Sequence, residues 1–329
     1  MFSSMDSRVI FLRKKTLGEN SIEECAYRIA QKVGAVVKIC PCFSTSIKGI
    51  LQNIVFAKAN QGAINHIIAP SECYLLPFLK GKKIVTFHDL GTLYASRNRL
   101  FKLLKVLLYI KPAEYFADAI TFVSKYTFDE FTQQEWHKNR NKVVIYNSYD
   151  DRLIYDDVSR LEVKSTILHI GTGKRKNLET VIAAVKGLDI KLLIVGRLSE
   201  YQQKMLNENN IVFENYYDIP YPDIVHLYNR ASIVSFPTFY EGFGLPVIEA
   251  QVMHKPVFAS KIPIIEEVGR DAVCYVDPYS IASIRDAISH LLYNQQYRES
   301  LIKKGVENAN RFSSCTILDS YASLYTNEI

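Results

Sequence analysis

No apolar run in this sequence of 329 residues reaches the ~18 residues that a membrane-spanning helix needs, so no transmembrane segment is expected. The opening stretch, MFSSMDSRVIFLRKK, lacks the positive-then-apolar order and the small-residue cleavage site of a secretory leader. Cysteine is sparse: Cys25, Cys40, Cys42, Cys73, Cys274 and Cys315 are scattered, and Cys40-Pro-Cys42 is too tight for a redox or zinc pair. They read as reduced thiols of a cytoplasmic protein. There is no internal repeat and no low-complexity segment. The basic residues are dispersed and no nucleic-acid module is recognised, which puts nucleic acid last among the partners. No Asp-x-Asp falls in the ligand-facing stretches identified below, and Asp150-Asp151 and Asp156-Asp157 lack that spacing. No metal and no resident cofactor are therefore expected.

What is present points to a soluble α/β protein. The chain is too long for one core and suits two domains. Hydrophobic residues make up 48% of it, and a formal charge of +6 favours an anionic partner. Short apolar runs (RVIFLR, VVKIC, NIVFAKA, INHIIA, KKIVTF) alternate with polar or helical pieces, the rhythm of a parallel sheet. Ser21-Ile-Glu-Glu24 would start the first helix as a capping box. KKIVTF ends in His88-Asp89, at a strand's carboxyl edge, where open α/β sheets place ligands.

The richest stretch is SFPTFYEGFGLPVIEAQVMHKPVFAS, from Ser235 to Ser260. It reads as strand, glycine-bearing loop and helix, with Gly242 and Gly244 in the loop and Pro246 in the first helical turn. The amides of Phe243, Gly244 and Leu245 would emerge from a positive helix end, which is an anion site. Glu241 lies just before that end and Glu249 one to two turns inside, with seven residues between them. An anion site flanked by acids suits a ligand with both phosphates and hydroxyls.

Upstream, STILHI leads into Gly171-Thr-Gly173-Lys-Arg-Lys-Asn177, a near miss to the dinucleotide pattern GxGxxG. Lys176 replaces the third glycine, which a dehydrogenase needs for close packing. A lysine there can instead neutralise a departing diphosphate, with Arg175 beside it. KLLIVGR ends in Gly196-Arg197, a second glycine after a strand. Between residues 97 and 111, a stripe of Leu100, Leu103, Leu104, Leu107 and Leu108 runs beside Arg97, Arg99, Lys102, Lys105 and Lys111. Two readings stand open for it: a core-packing helix with a basic face, or a helix lying on an anionic membrane surface.

EGFGLPVIE and its flanks resemble the acid-x7-acid signature of the retaining glycosyltransferases of family 4. The resemblance implies the GT-B fold, two Rossmann-like domains facing across a cleft. It implies an N-terminal acceptor-binding domain over residues 1–150, a linker over 151–164, a nucleotide-sugar domain over 165–313 and a terminal helix over 314–329 crossing back. It further implies that Glu241 meets the transferred hexose, that His88 does so from the other domain, and that Glu249 holds the ribose. Gly242, Phe243, Gly244 and Leu245 would hold the diphosphate by their amides, with Gly171, Arg175, Lys176 and Gly196 around the nucleotide. The family's paired glycines of the first loop are reduced to Gly18. Its usual glycine after the signature helix is His254, which puts local stability in question more than activity.

The implied reaction is transfer of a hexose from a GDP- or UDP-sugar to a glycan or lipid-linked glycan acceptor, in surface polysaccharide synthesis. The enzyme would be cytoplasmic, or peripheral at the inner face of the plasma membrane. A sugar-nucleotide epimerase, a phosphorylase and a non-catalytic sugar-nucleotide-binding protein remain alternatives.

Overall fold

Among the described residues, twelve strands pair in two sheets, and every pairing is parallel. The computed structural model describes residues 7–14, 21–91, 98–133, 141–156 and 165–326. The first sheet contains β1 (Arg8–Leu12), β2 (Val36–Ile39), β3 (Ile64–Ile67), β4 (Lys82–Phe87), β5 (Ala119–Phe122) and β6 (Lys142–Val144), in the order β2-β1-β3-β4-β5-β6. The second contains β7 (Ser165–Ile170), β8 (Ile190–Val195), β9 (Val212–Tyr216), β10 (Ile233–Phe236), β11 (Val257–Ser260) and β12 (Cys274–Val276), in the order β12-β11-β10-β7-β8-β9. Parallel strands need crossovers and have both faces covered, which is why their sequences are near-continuous apolar runs. The buried residues of β4 and β10 are of this kind.

The strand order reverses between β1 and β3 in the first sheet and between β7 and β10 in the second. At such a switch point the loops leaving the carboxyl ends diverge and open a crevice, the usual ligand position. Each sheet belongs to its own compact unit. The first unit is Met1–Ser148 with Cys315–Ile329, and the second is Tyr149–Ser314.

Within the first unit the helix Ser314–Thr326 closes one face. Ile317, Tyr321, Leu324 and Tyr325 join Ile10, Leu12, Ala26 and Ile29 in one apolar cluster. A buried polar chain fastens it: the Tyr325 hydroxyl is 2.9 Å from His66 Nδ1. His66 Nε2 is 2.7 Å from Thr86 Oγ1, itself 2.7 Å from Thr121 Oγ1. The chain crosses three adjacent strands, so each buried polar atom finds a partner at little net cost.

Several expectations need correction. NIVFAKA is the second half of the helix Ile47–Asn60, whose cap is Ser46, and not a strand. The first helix begins at Ser21 itself, one residue before the start its capping box implies. The helices Glu200–Glu208 and Gln295–Ala309 were not anticipated. The first of these has a legible signal, the reciprocal Ser199–Gln202 capping box. Of the leucine stripe, Leu100, Leu103, Leu104 and Leu107 are exposed, while Val106 and Ile110 turn to the core through a π-helical turn, Val106–Ile110.

Burial pushes His66 and His169 down to about 3, so both are neutral at pH 7. A folded pKa below the unfolded value gives stability that is complete above pH ~6.5 and declines as pH falls toward the folded pKa. For His66 the loss should reach about 2 kcal/mol by pH ~5. The stability gap between the wild type and His66→Gln should shrink by that amount between pH ~7.5 and ~5. Urea melts at the two pH values check this, and a constant gap refutes it.

Candidate active site

The second switch point gathers the loops after β7 and β10, where the two acids and the lysine fall. Lys176 Nζ lies 2.6 Å from Glu241 Oε1, with both side chains largely buried. The ammonium also sits 4.7 Å from the centre of the Phe236 ring. A buried charge needs a partner, and Glu241 supplies it. Glu241 is in turn held: the Thr238 hydroxyl is 2.9 Å from the same Oε1 and 2.9 Å from the Arg175 carbonyl, serving one at a time. The Arg175 carbonyl also accepts from the Phe239 amide at 2.8 Å, tying the two loops edge to edge. The Arg175 side chain is exposed.

The lysine's path depends on Gly171. Its φ is +98°, and an added Cβ would stand 2.7 Å from Lys176 Cγ. Gly196, φ +130°, packs in the same way against Thr172, whose hydroxyl a Cβ would meet at 2.9 Å. Asn177, φ +63°, turns the loop into the helix Leu178–Val185, with Nδ2 donating to the carbonyls of Pro237 and Pro278 at 2.9 and 2.8 Å. Asparagine is among the few non-glycine residues that visit this region readily.

After β10 the chain passes Glu241, Gly242 and Phe243 and enters the helix Leu245–Val252, with Gly244 at the N-cap, φ +104°. Phe243 packs edge-on to Phe312 at 5.7 Å. The first amides of a helix have no acceptor within it, and Pro246 removes one of them. Glu249 Oε2 accepts from the buried Tyr228 hydroxyl at 2.7 Å, which fixes the direction of that carboxyl group. Burial and the neighbouring Glu249 hold the Tyr228 hydroxyl well above the usual tyrosine range, so it stays a donor. The helix ends in a Schellman turn. His254 N donates to the Gln251 carbonyl at 3.2 Å and Lys255 N to the Ala250 carbonyl at 2.8 Å. His254 takes the left-handed geometry, φ +53°, and its ring stacks on Tyr155 at 4.2 Å. That stacking offsets strain which glycine would avoid.

His88 belongs to the first unit, at the carboxyl end of β4. It is buried and pushed down to about 4, first by burial and then by the positive Arg13, while a hydrogen bond to the Ile68 backbone opposes the shift. It is neutral at pH 7. Gly18 lies outside the described residues. Among the described residues no group of three His, Cys, Asp or Glu side chains is placed to hold a metal ion. All six cysteines are free thiols, and four of them are buried. The structure thus joins Lys176 to Glu241 and Gly171 to Lys176, and it adds Thr238, Tyr228 and Asn177, which sequence reasoning had not assigned.

Comparison with known proteins bears on this arrangement. Residues 155–308 match the family described as "Glycosyl transferases group 1". The O-antigen chain mannosyltransferase RfbU of Salmonella typhimurium is 25% identical over 229 residues, 66% of this chain and 63% of that protein. The O-antigen chain mannosyltransferase B of Escherichia coli is 36% identical over 100 residues, 30% of this chain and 26% of that one. The chain thus matches less than two thirds of the length of either relative. Among solved structures, sucrose-phosphate synthase from Thermosynechococcus elongatus superposes with TM-score 0.82 at 16% identity, covering 98% of both chains. WaaG, a glycosyltransferase involved in lipopolysaccharide biosynthesis, gives 0.74 at 15%, covering 96% of this chain and 99% of that one. The chain has the GT-B fold, and its match to the group 1 glycosyltransferases covers residues 155–308, most of the second unit.

Gly171→Ala should destabilise the second unit by about 1–3 kcal/mol, because it combines left-handed strain with a clash on the lysine stem. Gly173→Ala is the control. Nothing lies within 4 Å of its Cβ and φ is −63°, so it should be neutral or stabilise by about 0.4–1 kcal/mol. Equal effects of the two in chemical denaturation would show that Gly171 is not matched to Lys176.

Proposed function

We propose that the protein is a retaining glycosyltransferase of family 4. In this reading it moves a hexose from a nucleoside diphosphate sugar to an acceptor hydroxyl in surface polysaccharide synthesis. The observation that carries the proposal is the Lys176–Glu241 pair, 2.6 Å apart, on the loops that meet the amino end of the Glu249-bearing helix. In this reading the first-turn amides and Lys176, with Arg175 on the same loop, stabilise the diphosphate as it leaves. Those groups supply the positive charge, so the proposal calls on no metal. Glu241 meets the transferred sugar and Glu249 the ribose hydroxyls. The bond from C1 to the diphosphate breaks as the bond to the acceptor oxygen forms on the same face. The acceptor's proton passes to a phosphate oxygen.

The relatives support the choice of pathway. Two are named as O-antigen mannosyltransferases, and a Staphylococcus aureus protein, 29% identical over 155 residues, as a capsular polysaccharide glycosyltransferase. An Anabaena protein of the same fold was solved with UDP and glucose. The named residues touch phosphate, ribose and hydroxyls, chemistry that GDP- and UDP-hexoses share.

A screen of nucleotide sugars by thermal shift, followed by NMR of the product, tests the proposal. The product should keep the donor's anomeric configuration, and an inverted coupling would overturn the retaining assignment. Turnover of the sugar nucleotide without acceptor would favour an epimerase instead. Glu249→Gln should weaken nucleoside diphosphate binding by about 1–3 kcal/mol, whereas Glu241→Ala should lower transfer far more than diphosphate affinity. Calorimetry and rate assays read the two, and equal losses for Glu241→Ala would reduce that acid to a support of the fold.

The acceptor side of the proposal includes a lipid surface. Two helical segments of the first unit, 47–60 and 99–111, carry Lys48, Lys58, Arg99, Lys102, Lys105 and Lys111 and no acid. Both feed one apolar cluster, yet their outer sides leave Ile47, Leu51, Val55, Leu100, Phe101, Leu103, Leu104 and Leu107 exposed. Apolar side chains interleaved with cations fit the interface of an anionic bilayer. A second copy of the same face would set cation against cation. Vesicles rich in phosphatidylglycerol should pellet the protein at low salt and release it as salt rises. The triple change R99Q/K102Q/K105Q should abolish pelleting, and no pelleting under any salt condition rejects the surface.

A further inference from the structure

Glu249 is held from behind by a tyrosine that the transfer step does not otherwise use. The helices Tyr221–Arg230 and Leu245–Val252 enter and leave β10, the first carrying Tyr228 and the second Glu249. The Tyr228 hydroxyl donates to Glu249 Oε2 at 2.7 Å. Tyr228 is fully buried, whereas Glu249 is half-buried. The phenol therefore grips the carboxyl group from the interior, and a ligand would approach it from the solvent side.

The phenol is itself fixed. Lys255, three residues beyond the second helix, donates to the Asn229 carbonyl at 2.8 Å, one residue from Tyr228. Thr166 Oγ1 of β7 donates to the Arg230 carbonyl at 2.7 Å, and Arg230 pairs with Glu214 of β9 at 2.9 Å. These contacts pin the last turn of the Tyr228 helix to two strands and to the chain that follows the Glu249 helix. A glutamate side chain has several rotatable bonds, and freezing such a side chain is one of the costs of binding. A hydrogen bond from a rigid donor removes part of that cost before a ligand arrives. Burial and the neighbouring Glu249 keep the phenol protonated, so the donor persists.

We propose that Tyr228 is a positioning residue for the ribose of the nucleotide: by orienting the Glu249 carboxyl group it makes the site prefer ribonucleotides to 2′,3′-dideoxyribonucleotides. The inference rests on the reading of Glu249 as the acid that holds the ribose. A carboxyl group set at one angle can accept from two neighbouring hydroxyls together, which a vicinal diol supplies and a dideoxyribose does not. A site built to take a hydroxyl proton discriminates strongly against the analogue that lacks it. Loosened, the same carboxyl group loses most of that discrimination. The ribose lies away from the bond that breaks, so its contact is the same in the ground and transition states and acts on KM rather than kcat.

Calorimetry of the full chain with UDP, GDP and their 2′,3′-dideoxy counterparts tests the inference. The wild type should bind its preferred ribonucleotide about tenfold or more tightly than the dideoxy form. Tyr228→Phe fills the same volume without the hydroxyl. It should weaken ribonucleotide binding about five- to tenfold, leave dideoxy binding within about twofold, and so shrink the preference. In a Glu249→Ala background, where there is no carboxyl group to orient, the same change should leave ribonucleotide affinity within about twofold. With the nucleotide sugar as substrate, Tyr228→Phe should raise KM by the same factor and keep kcat within about twofold. Because the preference is a ratio taken within one protein, a smaller folded fraction cannot mimic the result. Equal weakening of both nucleotide forms makes Tyr228 a support of the fold and overturns the inference. If Glu249→Ala weakens ribonucleotide binding and Tyr228→Phe does not, the inference alone fails. If Glu249→Ala binds the ribonucleotide as the wild type does, the ribose assignment of Glu249 fails and the inference with it.

Discussion

A lysine ammonium 2.6 Å from a glutamate carboxylate, out of reach of most solvent, organises the second unit. Breaking such a pair by removing one partner is expensive, because a buried charge is left behind. Everything around it serves to avoid that. The absence of a side chain at Gly171 gives the lysine its path, Asn177 pins the loop to two proline carbonyls, and Thr238 braces the carboxylate. Because β7 and β10 are neighbours across the strand-order reversal, the two loops can share these groups. The ion pair is therefore a product of topology, held ready beside a helix end.

The first unit shows two ways of handling buried polar groups. The His66, Thr86, Thr121 and Tyr325 chain is closed, and it fastens the last helix to the sheet. The carboxyl oxygens of Glu23 and Nε2 of His88, by contrast, are buried and make no hydrogen bond. A closed network rigidifies, while a buried polar atom left unpaired carries its full desolvation cost. The same contrast separates β3, whose histidine faces inward along the strand, from the carboxyl end of β4, whose histidine stands at the edge.

His254 shows how a departure from a sequence pattern can be absorbed locally. The Schellman turn keeps both of its hydrogen bonds although the residue is not glycine, and the ring gains Tyr155 as a stacking partner. The basic, leucine-rich segment shows the opposite: its pattern allowed two orientations, and the structure leaves Leu100, Leu103, Leu104 and Leu107 exposed while Val106 and Ile110 of the π-helical turn are buried.

The sequence by itself determined the parallel α/β architecture, because buried parallel strands must be short unbroken apolar runs punctuated by helices. It also determined the loop, glycines and proline ahead of the Glu249 helix, since left-handed geometry and the first helical turn each restrict residue type. Local spacing has no information about partners far along the chain. Hence NIVFAKA passed for a strand, being an apolar run on a helix that needs its buried face to declare itself. Only the tertiary structure decided that Lys176 meets Glu241, 65 residues away, that Tyr228 aims Glu249, and that Arg13 stands beside Glu23. Those contacts follow from the strand order, and the strand order is fixed by packing over the whole sheet, which no short stretch of sequence contains.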